Sequence, residues 1–277
     1  MAVILQGKEL DEYNKTRYSG QWLASAGHRM MSDYYAKDHN LDTLKAIACV
    51  GGSRILECGI GTGEFFAMEL ARVGKSMYGI DFSDVLLRDC KARFAKNKFP
   101  VRLGMADVQK IPFKDGVFDA TYAIGVMPYM YNLDVAVREM LRVTKNGGIV
   151  VFDMMNLWHP SQLINYWYRA FESGRFGFKF IDALKHLKKR MGLKTNFKDI
   201  PEKVNYNLIS PLKMLGVIRS TGFKFSVRGY NVLLPLDMPI LGKKANLCDR
   251  LPYFAHGLKD NSIMKYFGAK LVFIIKK

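Results

Sequence analysis

The stretch Ile55-Leu56-Glu57-Cys58-Gly59-Ile60-Gly61-Thr62-Gly63-Glu64 constrains this chain more than any other. Apolar residues run into an acid and glycine recurs at every second position. An apolar helical pattern then follows through Phe65, Phe66, Met68, Leu70 and Ala71. That order reads as strand, tight turn and helix. Glycine adopts positive φ at little cost and has no side chain, so such a turn folds sharply and lets a ligand lie against bare backbone.

A second acid narrows the reading. Met77-Tyr78-Gly79-Ile80-Asp81 has the pattern of a next strand ending in a carboxylate, 20 residues beyond Gly61. A carboxylate there can accept hydrogen bonds from both hydroxyls of a ribose. The turn spacing is G-x-G-x-G, which differs from the G-x-G-x-x-G of dinucleotide-binding proteins. Glu57, Gly59, Gly61, Gly63 and Asp81 together resemble the cofactor site of class I S-adenosylmethionine (SAM) dependent methyltransferases. The competing reading is an ordinary strand–turn–helix with incidental glycines, and the downstream matches weigh against it. Val101 to Asp107 resembles that family's third strand, and Asp115-Gly116-Val117-Phe118-Asp119 the approach to a fourth strand over Ala120 to Gly125. Glu139 to Gly148 and then Ile149 to Phe152 resemble a helix, a glycine turn and a fifth strand.

The resemblance covers about residues 50 to 155 and implies a fold class, a cofactor and a set of site residues. The fold is α/β and Rossmann-like: a mostly parallel seven-stranded sheet with helices on both faces. An N-terminal helical segment and a helical cap inserted after the fifth strand complete it. The cofactor is SAM, held by Glu57, Gly59, Gly61, Gly63 and Asp81, with Ala106 and Asp107 at the adenine and Gly125 at the convergent strand end. Phe82 and Val108 are candidates to sandwich the adenine ring, or helix-entry packing. Tyr18 and Trp22, in an N-terminal segment of the kind that folds over the cofactor in related enzymes, are candidates to face the sulfonium or core aromatics. No metal is implied.

Composition limits the remaining choices. The chain has 277 residues, enough for one α/β domain with additions, here divided as 1–50 lid, 51–155 SAM-binding core, 156–198 basic helical cap and 199–277 closing part. No run of about 18 apolar residues occurs, and the N-terminus has no signal-peptide apolar region, so the expectation is a cytoplasmic protein. Cys49, Cys58, Cys90 and Cys248 form no C-x-x-C, which argues against a zinc site or a disulfide framework. The formal charge of +17 favours anionic partners. Residues 156–198 hold nine Lys/Arg against two acids, and the pattern through Phe178, Ile181, Leu184, Leu187 and Met191 sets an apolar stripe beside Lys185, Lys188, Lys189 and Arg190. That stripe fits either a helix packed on its own domain or peripheral contact with an anionic membrane through 178–194.

These features point to methyl transfer onto an O or N atom of a small or lipid-like, anionic acceptor. After the fourth strand, Gly125-Val126-Met127-Pro128-Tyr129-Met130-Tyr131 lacks the Asp/Asn-Pro-Pro-aromatic motif that base-methylating enzymes resemble one another in, which weighs against a nucleic-acid substrate. An RNA or protein methyltransferase and a non-catalytic SAM-binding protein are the alternatives. Because the sulfonium is already an activated leaving group, a general base is optional. His159, just beyond the fifth strand, is the first candidate for that base and His28 the second, against the ordinary structural role of a lone histidine.

Overall fold

The structure is a computed structural model and describes residues 42–130, 132–159, 209–230, 260–268 and 270–277. Tyr18, Trp22, His28, Tyr131, the N-terminal lid other than 42–50, and all but 156–159 of the expected cap lie outside the described residues. The chain divides into two compact units, with boundaries after Met154, Pro211, Val227 and Leu271.

Seven strands form one sheet: β1 (Arg54–Cys58), β2 (Ser76–Asp81), β3 (Val101–Met105), β4 (Phe118–Ala123), β5 (Thr144–Met155), β6 (Lys224–Tyr230) and β7 (Lys270–Lys276). Their order is β3-β2-β1-β4-β5-β7-β6. Pairing is parallel from β3 through to β5. Lys277, which follows β7, exchanges backbone hydrogen bonds with Gly147 and Gly148 near the start of β5. The end of β7 therefore lies beside the beginning of β5, and the two run antiparallel. This is the Rossmann-like α/β sheet that the resemblance to methyltransferases implies.

The helices are α1 (Phe66–Arg72), α2 (Asp84–Lys96), α3 (Leu133–Val143) and α4 (Pro211–Arg219), and residues 42–48 are also helical. Their starts follow local chemistry. The side chain of Ser83 accepts from the Leu86 N–H and that of Asn132 from the Val135 N–H, satisfying donors that a first helical turn leaves open. Asp84 and Asp134 stand at the positive helix ends, Arg93 and Lys96 at the negative end of α2.

The inner parallel strands β1, β2, β4 and β5 are buried along most of their length and read as near-continuous apolar runs, whereas the edge strand β3 has no buried residue. Ile55, Leu56, Met77, Ile80, Phe118 and Tyr122 are buried on β1, β2 and β4, with Cys90 and Phe94 of α2 and Val137 and Met140 of α3. Full burial of each large apolar side chain is worth roughly 1.5–3 kcal/mol.

Two boundaries differ from the sequence reading. The expected fourth strand stops at Ala123, leaving Gly125 in the bend beyond it. The expected glycine turn before the fifth strand is a bulge inside β5: Phe118 pairs with Thr144 and Ala120 with Ile149, so Gly147 and Gly148 lie within the looped-out stretch. Gly147 has φ 81°, and a Cβ on Gly148 would meet the Asp119 carbonyl oxygen at 2.7 Å. The glycines thus let β5 bulge while staying in the sheet.

On β2, Gly79 makes room for the turn after β1. An added Cβ there would stand 2.3 Å from Ile60 Cδ1 and 2.9 Å from Ile60 Cβ, so the whole Ile60 side chain would have to move. Gly79→Ala is expected to destabilise the fold by about 1–3 kcal/mol, the range for overpacking. Urea unfolding checks this through a lower midpoint at unchanged slope.

Candidate functional site

The order of the strands reverses between β1 and β4, and a ligand on such a sheet binds beyond the carboxyl ends at that reversal. Residues from four strand ends meet there. The turn after β1 is tied to β2 by Gly59 and Ile60, whose N–H groups both donate to the Ile80 carbonyl at 2.7 and 3.0 Å. Gly63 N–H closes the turn onto the Ile60 carbonyl at 2.9 Å. At the end of β2, Asp81 accepts from Gly61 N–H through Oδ2 at 2.9 Å and from Ser83 N–H through Oδ1 at 3.0 Å. Its carboxylate therefore fixes both the glycine turn and the entry to α2. Burial raises the Asp81 pKa, and the hydrogen bonds from Ser83, Gly61 and Phe82 oppose that rise.

Gly59, Gly61 and Gly63 all have positive φ, at 73°, 53° and 68°. Their surroundings differ. A Cβ on Gly59 would strike Val126 at 2.4 Å, and one on Gly63 would strike Cys90 Sγ at 2.7 Å and Phe94 at 2.9 Å. A Cβ on Gly61 would meet no heavy atom of the described residues within 4 Å. Two glycines thus serve internal packing, and the middle one borders open space.

Glu57, next to last on β1, is buried at 7% exposure. Tyr122, opposite it in the β1–β4 register, donates its hydroxyl to Glu57 Oε2 at 2.7 Å. Burial pushes the Glu57 carboxyl up to about 8, with the Tyr122 hydrogen bond opposing and the Asp81 charge adding. No lysine or arginine among the described residues pairs with Glu57 or Asp81.

Beyond β3, Ala106 N–H donates to the Asp81 carbonyl at 3.0 Å. Asp107 Oδ1 accepts from Gln109 N–H at 2.9 Å, and Gln109 Oε1 accepts from Asn132 N–H at 3.0 Å, linking this loop to the start of α3. Phe82 is half-buried and Val108 is buried at 5% exposure. Gly125, φ 73°, donates its N–H to Asp153 Oδ1 at 2.6 Å. His159 is buried, with its N–H on the Asn156 carbonyl at 3.3 Å, and belongs to the other compact unit. Of the residues expected to hold the cofactor, all but Tyr18 and Trp22 are described, and they cluster around the ends of β1 to β4.

Tyr122 and Asp153 were missed by the sequence reading. Asp153 carried a usable signal, since an acid interrupts an apolar run near the end of β5 as Glu57 and Asp81 do on β1 and β2. Tyr122 carried none, because its partner is set by the register between strands distant in sequence.

The open space at Gly61, the buried carboxyl groups of Glu57 and Asp81 with no cation paired to them among the described residues, and the polar Asp107–Gln109 loop fit a cationic nucleoside such as SAM. Residues 56–152 match the family profile of a methyltransferase domain. The ubiquinone/menaquinone biosynthesis C-methyltransferase UbiE of Nitrosospira multiformis is 29% identical over 114 residues, 40% of this chain and 47% of that protein. The malonyl-[acyl-carrier protein] O-methyltransferase of Hamiltonella defensa is 22% identical over 163 residues, 59% of this chain and 61% of that protein. The sterol 4-C-methyltransferase strm-1 of Caenorhabditis elegans is 34% identical over 101 residues, 35% of this chain and 29% of that protein. The chain thus spans less than two thirds of each of these relatives.

Among solved structures, the [4+2]-cyclase SpnF overlays with TM-score 0.58 at 17% identity, covering 99% of this chain and 96% of that one. Magnesium protoporphyrin IX methyltransferase of Synechocystis, with bound SAH, overlays with TM-score 0.54 at 11% identity, covering 96% and 98%. At such identities these overlays establish the fold.

The glycines make a separable prediction. Gly61→Ala is expected to cost only about 1–2 kcal/mol of stability, the penalty of a left-handed residue, yet to weaken SAM binding by blocking the open space. Gly63→Ala is expected to act through stability, since its Cβ strikes protein. Denaturant unfolding and calorimetric SAM titration of both variants check the split. Residues 56–152 thus match a methyltransferase domain, and the sheet order and the glycine turn held by Asp81 are those of the Rossmann-like methyltransferase fold.

Proposed function

We propose that this chain transfers a methyl group from SAM to a small or lipid-like acceptor. The observation that carries the reading is the glycine turn held by Asp81 beside the open space at Gly61. Bound SAM supplies a methyl group already activated on a sulfonium. The chain's task is then to bind, orient and exclude water, with a proton acceptor only where the nucleophile carries a proton. Asp81 holds the ribose hydroxyls, Asp107 the adenine edge, and the backbone of Gly59 to Gly63 the middle of the cofactor. Glu57 offers negative charge to a cationic part.

The relatives support the small-molecule or lipid-like acceptor class. Quinone, sterol and acyl-carrier methyltransferases share sequence with this chain, and their names extend the acceptor atom from O or N to carbon. The charge of +17 favours an anionic acceptor, or one presented at an anionic surface. Residues 178–194, outside the described residues, are the segment proposed for that contact. The same charge keeps RNA as a second reading, which salt-sensitive RNA retention tests. The fold alone does not choose the reaction, since a chain that overlays well is a cyclase.

Release of S-adenosylhomocysteine over many turnovers, with quinone precursors, sterols and anionic lipids as acceptors, supports the proposal. SAM binding with no turnover on any of them leaves a binding protein. His159 is the proposed proton acceptor. His159→Gln is expected to lower turnover by about 10²- to 10⁴-fold, the span of general-base effects, with SAM affinity unchanged. Equal turnover in wild type and variant would remove that role.

A further inference from the structure

We propose that Tyr122 is a positioning residue for the cofactor: its hydroxyl fixes the Glu57 carboxyl group through Oε2 so that Oε1 is presented to a cationic part of SAM. The inference rests on the SAM-binding reading of the same site and adds a residue to it.

The geometry is specific. Glu57 and Tyr122 are register partners on β1 and β4, the two strands between which the sheet order reverses. Tyr122 has 0% exposure and Glu57 7%. The hydroxyl reaches Oε2 at 2.7 Å, and the Tyr122 ring packs at 5.9 Å from that of Phe66 on α1, which holds the phenol in place. Oε1 accepts no hydrogen bond from the described residues, and it is not one of the enclosed, unsatisfied atoms, which are Thr43 Oγ1 and Arg93 Nε. A carboxyl group nine-tenths buried thus keeps one oxygen open while the other is held.

Charge complementarity identifies the ligand group. The titratable groups acting on Glu57 are Asp81 from β2 and Tyr122 from β4, and Glu57 in turn acts on Cys58 beside it on β1 and on Cys90 from α2. None is a cation. A buried carboxylate without a cation favours its neutral form, and the Glu57 carboxyl is accordingly pushed up to about 8 by burial. Tyr122 is held well above its ordinary range by burial and by Glu57, so the phenol keeps its proton and remains a donor. SAM has a sulfonium and an ammonium against one carboxylate. Bringing one of those cations to Oε1 favours ionised Glu57, so binding releases the carboxyl proton to solvent.

Proton linkage makes this measurable. SAM is titrated calorimetrically between pH 6 and 9 into wild type, Tyr122→Phe and Glu57→Gln, in buffers of differing ionisation enthalpy. Wild type should release close to one proton per SAM at pH 7, with affinity falling about tenfold per pH unit below a break near 8. Tyr122→Phe, which loses a bond that favours the ionised form, should move the break upward by about one to two pH units. Glu57→Gln should release no proton and show a flat profile. A Tyr122→Phe profile that superposes on wild type, or no proton release by wild type, overturns the proposal.

Unfolding of the ligand-free protein provides a readout independent of SAM. With the folded carboxyl raised above its unfolded value, the native state holds the proton longer. Stability should therefore fall as pH rises from about 4.5 to about 8. The Glu57 contribution to that slope should be lost in Glu57→Gln, leaving that of Asp81, and should extend to higher pH in Tyr122→Phe. The expected slopes without SAM binding would place the error in the SAM reading and overturn the positioning role. Absent slopes with intact SAM binding would place it in the Glu57–Tyr122 pair.

Discussion

The Asp81 carboxylate is the constraint on which this site depends. Through one oxygen it holds the Gly61 amide and through the other the Ser83 amide, so a single buried side chain joins the turn after β1 to the start of α2. Without it, two backbone donors at the sheet edge would lose their partner, each at a cost of about 1–3 kcal/mol. The turn itself is fixed from below by the paired donations of Gly59 and Ile60 to the Ile80 carbonyl. Gly79 on β2 and the Val126 side chain then fit only because particular positions lack a Cβ. The geometry of the candidate cofactor site is thus part of the packing of the sheet.

The same arrangement concentrates negative groups. Glu57, Asp81 and Asp153 are all buried at the carboxyl ends of parallel strands, and neither Glu57 nor Asp81 forms an ion pair with a described residue. Tyr122 and the Gly125 amide provide hydrogen bonds to two of them. Burial raises Glu57 and Asp81, and a cation beside them favours their ionised forms. Elsewhere the acids are paired: Asp119 with Lys145, and Glu139 and Asp115 with Arg142. The contrast separates a site suited to a cationic ligand from ordinary surface and loop stabilisation.

How much of this was legible depended on the range of the interactions. Strand, turn and helix from Ile55 to Ala71, the carboxylate at Asp81 and the cap at Ser83 are local patterns, and they stand where the spacing put them. The β5 bulge read as a turn because two glycines signal a turn equally well; only pairing with Phe118 and Ala120 shows that the strand continues. The Glu57–Tyr122 bond joins residues 65 apart and has no local signature. Among the equivalent-looking glycines, sequence could not distinguish Gly61, which borders open space, from Gly59 and Gly63, which abut side chains. Tyr18, Trp22 and the basic stretch from Phe178 to Met191 lie outside the described residues.

The most direct test of the central claim is the SAM affinity of Asp81→Asn. This change keeps the size of the side chain but replaces one acceptor oxygen by a donor facing a backbone or ribose hydrogen. Calorimetry on folded protein should show binding weakened by about 1.5–3 kcal/mol, roughly ten- to a hundredfold. Wild-type affinity in a folded Asp81→Asn protein would contradict the account.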